Sequence, residues 1–192
     1  MLYHSIAEIF DGIDRSRARL RHRVEAMSDA QQSFRANDSA WSITEILEHL
    51  SILETRMCAL TIKLLQQAEA SGARASGLQI APVSLEPYAA RAAVEKYQAP
   101  EAVRPNGAIP VADSLAKMQQ TRETLRALQP RLEAADLSNA MFPHPVFGAL
   151  DLYKWLAFIG LHEERHLRQI EAITATPEFK AIGDTRAADA AV

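Results

Sequence analysis

Apolar residues return at spacings of three and four along four stretches of the chain, the signature of helices that bury one stripe. From Leu2 to Met27 the recurring positions are Ile6, Ile9, Phe10, Ile13, Leu20 and Val24, which predicts a first amphipathic helix. The second follows Trp41, with Ile46, Leu50, Leu53, Met57, Leu60 and Leu64 on its stripe. Ser42 and Glu45 stand in the S-x-x-E spacing of a capping box, and Trp41 with Ile46 has the placing of a hydrophobic staple. A third helix runs over 111–129 on Leu115, Met118, Leu125 and Leu128, until Pro130 stops or kinks it, with a last turn reaching Leu132. The fourth spans 152–173, with Asp151 as its N-cap and Thr176 and Pro177 at its end.

Between them, 28–40 lacks periodicity and reads as a connection. The segment 71–110 carries Pro82, Pro87, Pro100, Pro105 and Pro110, so it is a long crossover with at most a short helix from Pro87 to Tyr97. Pro143, Pro145 and Gly148 make a rigid loop before the fourth helix. Strand signals are weak throughout. The expected fold is all-α: an up-down four-helix bundle with a long crossover between helices 2 and 3. One domain is expected over 1–177, with a disordered tail over 178–192.

Composition narrows the function. The chain has 192 residues, 48% of them hydrophobic, enough for one domain with a sizeable core. A net charge of -3 and a pI near 6.1 argue against nucleic-acid binding. The run Arg15, Arg17, Arg19, Arg21 and Arg23 alternates around a helix and reads as a solvated face. A single cysteine, Cys58, excludes an intramolecular disulfide and fits a reducing compartment. With no signal peptide and no long apolar run, a cytoplasmic protein that neither enters nor crosses a membrane is expected. Apolar residues left over on the first helix leave room for a homodimer.

The fourth helix supplies the chemistry. His162 and His166 are four residues apart, about 40° around a helix and one turn along it, and they share a stripe with Trp155, Ile159, Ile170 and Ile173. His49 lies in the stripe of the second helix, flanked by Ile46, Leu50 and Leu53. In a bundle these two stripes meet, which lets three imidazoles converge and hold Zn²⁺, Ni²⁺ or a similar ion with a position left open. Cys58, nine residues after His49, faces the other way and is rejected as a ligand. Two other readings compete: core histidines satisfied by their neighbours, and a zinc metalloprotease, because His162, Glu163 and His166 spell H-E-x-x-H. The second lacks a further ligand in the expected place, where Ala172 stands, and leaves Glu163 as an exposed helix glutamate.

The combination of Trp41, Ser42, Glu45 and His49, then Phe142-Pro143-His144-Pro145 with Phe147 and Gly148, then Trp155 and His162-Glu163 with Arg165, His166, Leu167, Gln169 and Ile170, resembles the DinB-like (YfiT-like) superfamily of metal-binding proteins. The resemblance runs from the second helix to the fourth. It implies the bundle with a long crossover, and it implies a divalent metal held by His49, His162 and His166. It further implies a small-molecule substrate, with either hydrolysis or transfer involving a low-molecular-weight thiol such as bacillithiol, mycothiol or glutathione. A non-catalytic bundle that serves binding or assembly is the alternative. Around the site, Gln169, three residues after His166, is placed either to hydrogen-bond behind the ligands or to pack between helices, Glu45 to orient His49 unless the capping box takes its carboxylate, and His144 to line the pocket mouth or shape its loop. Arg165 has a packing role as its simplest reading.

Overall fold

The computed structural model describes residues 2–94 and 97–182. Four long helices form the bundle: α1 (Ile6–Val24), α3 (Ile43–Ala70), α5 (Val111–Ala127) and α7 (Leu152–Thr174), with short helices α2 (Asp29–Ser33), α4 (Glu86–Val94) and α6 (Gln129–Ala134) in the connections. Helix α7 packs on α1 and α3, and α3 packs on α5. Among the described residues no helix is long and apolar enough to cross a membrane.

Cross-helix contacts give the directions. Ile13 meets Gly160 and Arg17 meets Glu163, so α1 and α7 run parallel. Asp11 meets Arg126 and Asp14 meets Arg122, so α1 opposes α5, while Glu54 meets Arg122 and Glu69 meets Arg131 just beyond α5, so α3 runs parallel to α5. The order is therefore up, down, down, up, and the crossover exists because two successive parallel helices need a return strap. At Gly160 a Cβ would come 3.0 Å from Ile13 Cγ2, so the bare backbone is what lets α1 lie this close to α7.

The capping box of Ser42 and Glu45 starts α3 as expected, and Asp151 caps α7 by accepting from the Lys154 amide at 2.9 Å. The differences lie in short extended pieces. The first helix begins only after Ser5, which caps it through the Glu8 amide at 3.1 Å. Residues Leu2–Ser5 form β1, antiparallel to β2 (Gln79–Ser84), with Tyr3 opposite Val83. The proline-rich loop is a hairpin of β3 (Met141–His144) and β4 (Gly148–Asp151), with His144 opposite Gly148. Gly148, at φ 75°, supplies the left-handed residue that closes this turn. Strands this short, two of them interrupted by proline, leave no alternation for sequence reading to find. The connection at 28–40 holds α2, whose capping box pairs Ser28 with Gln31. Residues 177–182 are helical and Phe179 packs edge-on against Phe34, 5.7 Å between centroids, so the packed body continues past Pro177. The expected disordered tail lies from 183 onward outside the described residues.

The core falls into two apolar clusters. The lower one gathers Ile6, Ile9, Phe10, Leu65, Leu152 and Leu156, and the upper one Leu20, Ile43, Leu47, Met118 and Ile170. Between them lies a buried polar layer with one charged residue from each long helix: Arg17, Glu54, Arg122 and Glu163.

Candidate metal centre

The three histidines come together on the face shared by α3 and α7. His162 Nε2 lies 3.4 Å from His49 Nε2 and 3.3 Å from His166 Nε2, and the three nitrogens lie within 4.8 Å of one another. His49 and His166 are buried, at 4% and 6% exposure, while His162 is partly open. Cys58 is buried and takes no part in the cluster.

Two tautomers are fixed by neighbours. His49 Nδ1 donates to the Val103 carbonyl at 2.6 Å, and His166 Nδ1 donates to Gln169 Oε1 at 2.9 Å. Each therefore presents an Nε2 lone pair to the centre, the arrangement metal-bound histidines adopt when their other nitrogen is held. Burial lowers the basicity of all three: His166 to about 3, His162 well below the ordinary imidazole value, with the other imidazoles and Arg165 adding repulsion. His49 is lowered too, the Val103 contact opposing the effect of burial. The two lone pairs meet His162 in one of two ways: as an Nε2–H donor that bonds to them, or as a third lone pair completing a set around a cation. For nitrogen ligands about 2.0–2.1 Å from a tetrahedral ion the ligand atoms stand about 3.3 Å apart, and the two spacings here are 3.3 and 3.4 Å. The residues present fit a tris-imidazole metal.

Trp41 closes one side, its ring centroid 5.0 Å from that of His49 and 6.3 Å from His166. It packs on the upper cluster with Ile46, as a staple would, but it also covers the site. The crossover closes another. Val103 belongs to a 3₁₀ turn at Glu101–Val103, and the Gly107 amide donates to Glu48 Oε2 at 2.7 Å, tying the strap to the helix turn that carries His49. Glu45 does not orient His49; the capping box and Arg35 take its carboxylate. His144 accepts the Val146 and Phe147 amides at 3.1 and 3.3 Å on Nδ1, and its ring stacks on Phe147 and meets Phe158, which in turn touches His162. It shapes its turn and builds the aromatic wall beside the site.

Glu163 corrects the sequence reading most sharply. It is 2% exposed, not a surface glutamate, because α7 is enclosed on more sides than one and its second face meets α1, α3 and α5. Glu163 Oε1 accepts from Arg17 Nε at 3.0 Å and from Arg122 Nη2 at 3.3 Å. Glu54 accepts from Arg122 at 2.9 and 3.1 Å and from Arg17. Arg17, placed with the solvated arginines by the sequence, is 4% exposed, whereas Arg15, Arg19, Arg21 and Arg23 face water as expected. Desolvation raises the Glu163 carboxyl to about 7 in spite of its two arginines. With Glu163 paired inward and the third imidazole supplied by an earlier helix, the site does not have the metalloprotease layout.

Comparisons with known proteins agree with this architecture. The model of the DinB superfamily matches residues 13–170. YuaE of Bacillus subtilis (strain 168), an uncharacterized protein, is 27% identical over 153 residues, covering 79% of this chain and 88% of that protein. The solved structure of TT2238, a four-helix bundle protein, superposes with a TM-score of 0.56 at 22% identity, over 86% of this chain and 98% of that one. YfiT from Bacillus subtilis, described as a probable metal-dependent hydrolase with an unusual four-helix bundle topology, gives 0.52 at 18% identity, over 88% and 85%.

Proposed function

The chain belongs to the DinB superfamily, and we propose that it is a metal-dependent hydrolase of a small molecule, with His49, His162 and His166 holding one Zn²⁺ or Ni²⁺ ion. The observation that carries this reading is the convergence of three imidazoles, with His162 Nε2 at the spacing of a tetrahedral ligand edge from the Nε2 atoms of both His49 and His166. The description of YfiT as a probable metal-dependent hydrolase supports hydrolysis over thiol transfer.

Such an ion, when bound, supplies Lewis acidity at whatever positions three imidazoles leave open. The protein's own share is positional. Val103 and Gln169 hold two imidazoles in their ligating tautomer, Trp41 screens them from water, and the partly open His162 marks the side from which a substrate arrives. Three neutral ligands leave the ion its full charge, which favours an electron-rich substrate oxygen.

Elemental analysis of protein purified without a histidine tag tests the reading, beside a His162→Ala, His166→Ala double variant. About one equivalent of metal in the wild type, lost in a folded variant, is the expected result. No binding even after incubation with Zn²⁺ or Ni²⁺ overturns it. A panel of esters and amides, each assayed with and without a low-molecular-weight thiol, then separates the chemistries: turnover that needs the thiol replaces hydrolysis with transfer.

A further inference from the structure

Metal-ligating histidines hand their second nitrogen to a carboxylate, a carbonyl or water, and that partner sets the tautomer. His49 and His166 have theirs, in Val103 and Gln169. Among the described residues His162 Nδ1 has no protein partner; both hydrogen-bond contacts of His162 are through Nε2.

The next residue carries an unspent acceptor. Glu163 Oε2 is fully buried and without a partner, while Oε1 of the same carboxylate serves Arg17 and Arg122. Both oxygens of Glu54 are occupied by the same two arginines. Between α3 and α7 a small cavity of about 10 Å³ is lined by His162, Glu163 and Glu54, and is otherwise apolar, with Leu53 and Ile159 among its walls. On that measure it holds about one water, which needs two or more polar partners to stay.

We propose that one buried water occupies this cavity, accepts from His162 Nδ1–H and donates to Glu163 Oε2, so that the third imidazole is oriented by the four-helix charge cluster through solvent. A single water has the donor and the acceptor that the two unspent atoms require. The assignment rests on the reading of the histidines as metal ligands. It makes Glu163 a positioning residue, which acts on the ion only through His162.

A high-resolution crystal structure and the ¹⁵N imidazole spectrum of the wild type, with and without Zn²⁺, test this directly. One water within hydrogen-bond distance of both atoms is expected with and without Zn²⁺, accepting from His162 Nδ1–H when zinc is bound; a dry cavity, or a water out of reach of either atom, overturns the proposal. Glu163→Gln adds a second readout. The two arginines claim the amide oxygen, which turns the amide NH₂ toward the cavity and replaces the acceptor by a donor. Zn²⁺ affinity, measured by chelator competition, then falls about 10- to 100-fold. Unchanged affinity beside a lowered melting temperature would reduce Glu163 to a purely structural part and overturn the relay. If no metal binds but the water is found within reach of both atoms, the hydrolase reading fails and the water site stands.

Discussion

Burial keeps the imidazoles uncharged in the folded protein, and this governs how the metal-free form meets acid. An unfolded chain protonates its histidines below about pH 6.5, whereas His166 holds out to about 3. The stability from this source is complete above about pH 6.5 and is lost as pH falls toward 3. Glu163 acts in the opposite sense: its carboxyl is raised from 4.5 to about 7, so its share is complete below 4.5 and lost as pH rises through 7. The two slopes oppose each other between about 4.5 and 6.5. Below that range Glu163 is protonated in both states and the histidines alone of this pair contribute. Denaturant titrations of the metal-free protein from pH 4.5 to 3 are expected to show a steep loss that is shallower in His166→Asn; equal slopes would mean that His166 is protonated in the fold. The histidines were legible in the sequence because a 3.6-residue period places each on an apolar stripe. Their partners were legible unevenly. Gln169 lies three residues from His166 on the same helix, whereas Val103 offers a main-chain oxygen from 54 residues away and leaves no trace in side-chain pattern.

At the scale of elements, local chemistry decided what could be read in advance. Capping is written in adjacent residues, and Ser42 with Glu45 starts α3 where their spacing says it should. Ser42→Ala removes the acceptor of the Glu45 amide and is expected to cost about 1 kcal/mol, a drop of a few degrees in a thermal melt; a larger loss would show that Ser42, 4% exposed, also packs. The four long helices were legible for the same reason, since each repeats its signal over several turns. The strands were not, because β1 and β2 are held by each other, and four to six residues carry too little alternation to announce a partner about 80 positions away. Directions were equally hidden. That α3 and α5 run parallel follows from which residues meet, and local sequence does not record meetings.

Across the whole molecule, the four buried charges lie between two apolar clusters and join all four long helices. No period along one helix reveals them, since each looks like an ordinary surface residue until its partners from other helices are in place. Removing one partner strands a charge in the interior: Arg122→Met is expected to destabilise the protein by about 3–5 kcal/mol. Replacing all four by apolar residues of similar volume should recover most of that in urea unfolding; if it does not, the cluster stabilises the bundle beyond mutual neutralisation. The crossover has a different standing. It reaches the histidine cluster with a peptide carbonyl, at Val103, and every amino acid carries one. Mutations along this strap can rework the surface around the histidines while the oxygen that steadies His49 is inherited unchanged, provided the turn is kept. On the proposed function, the bundle can thereby acquire new substrates without having to evolve its metal centre again.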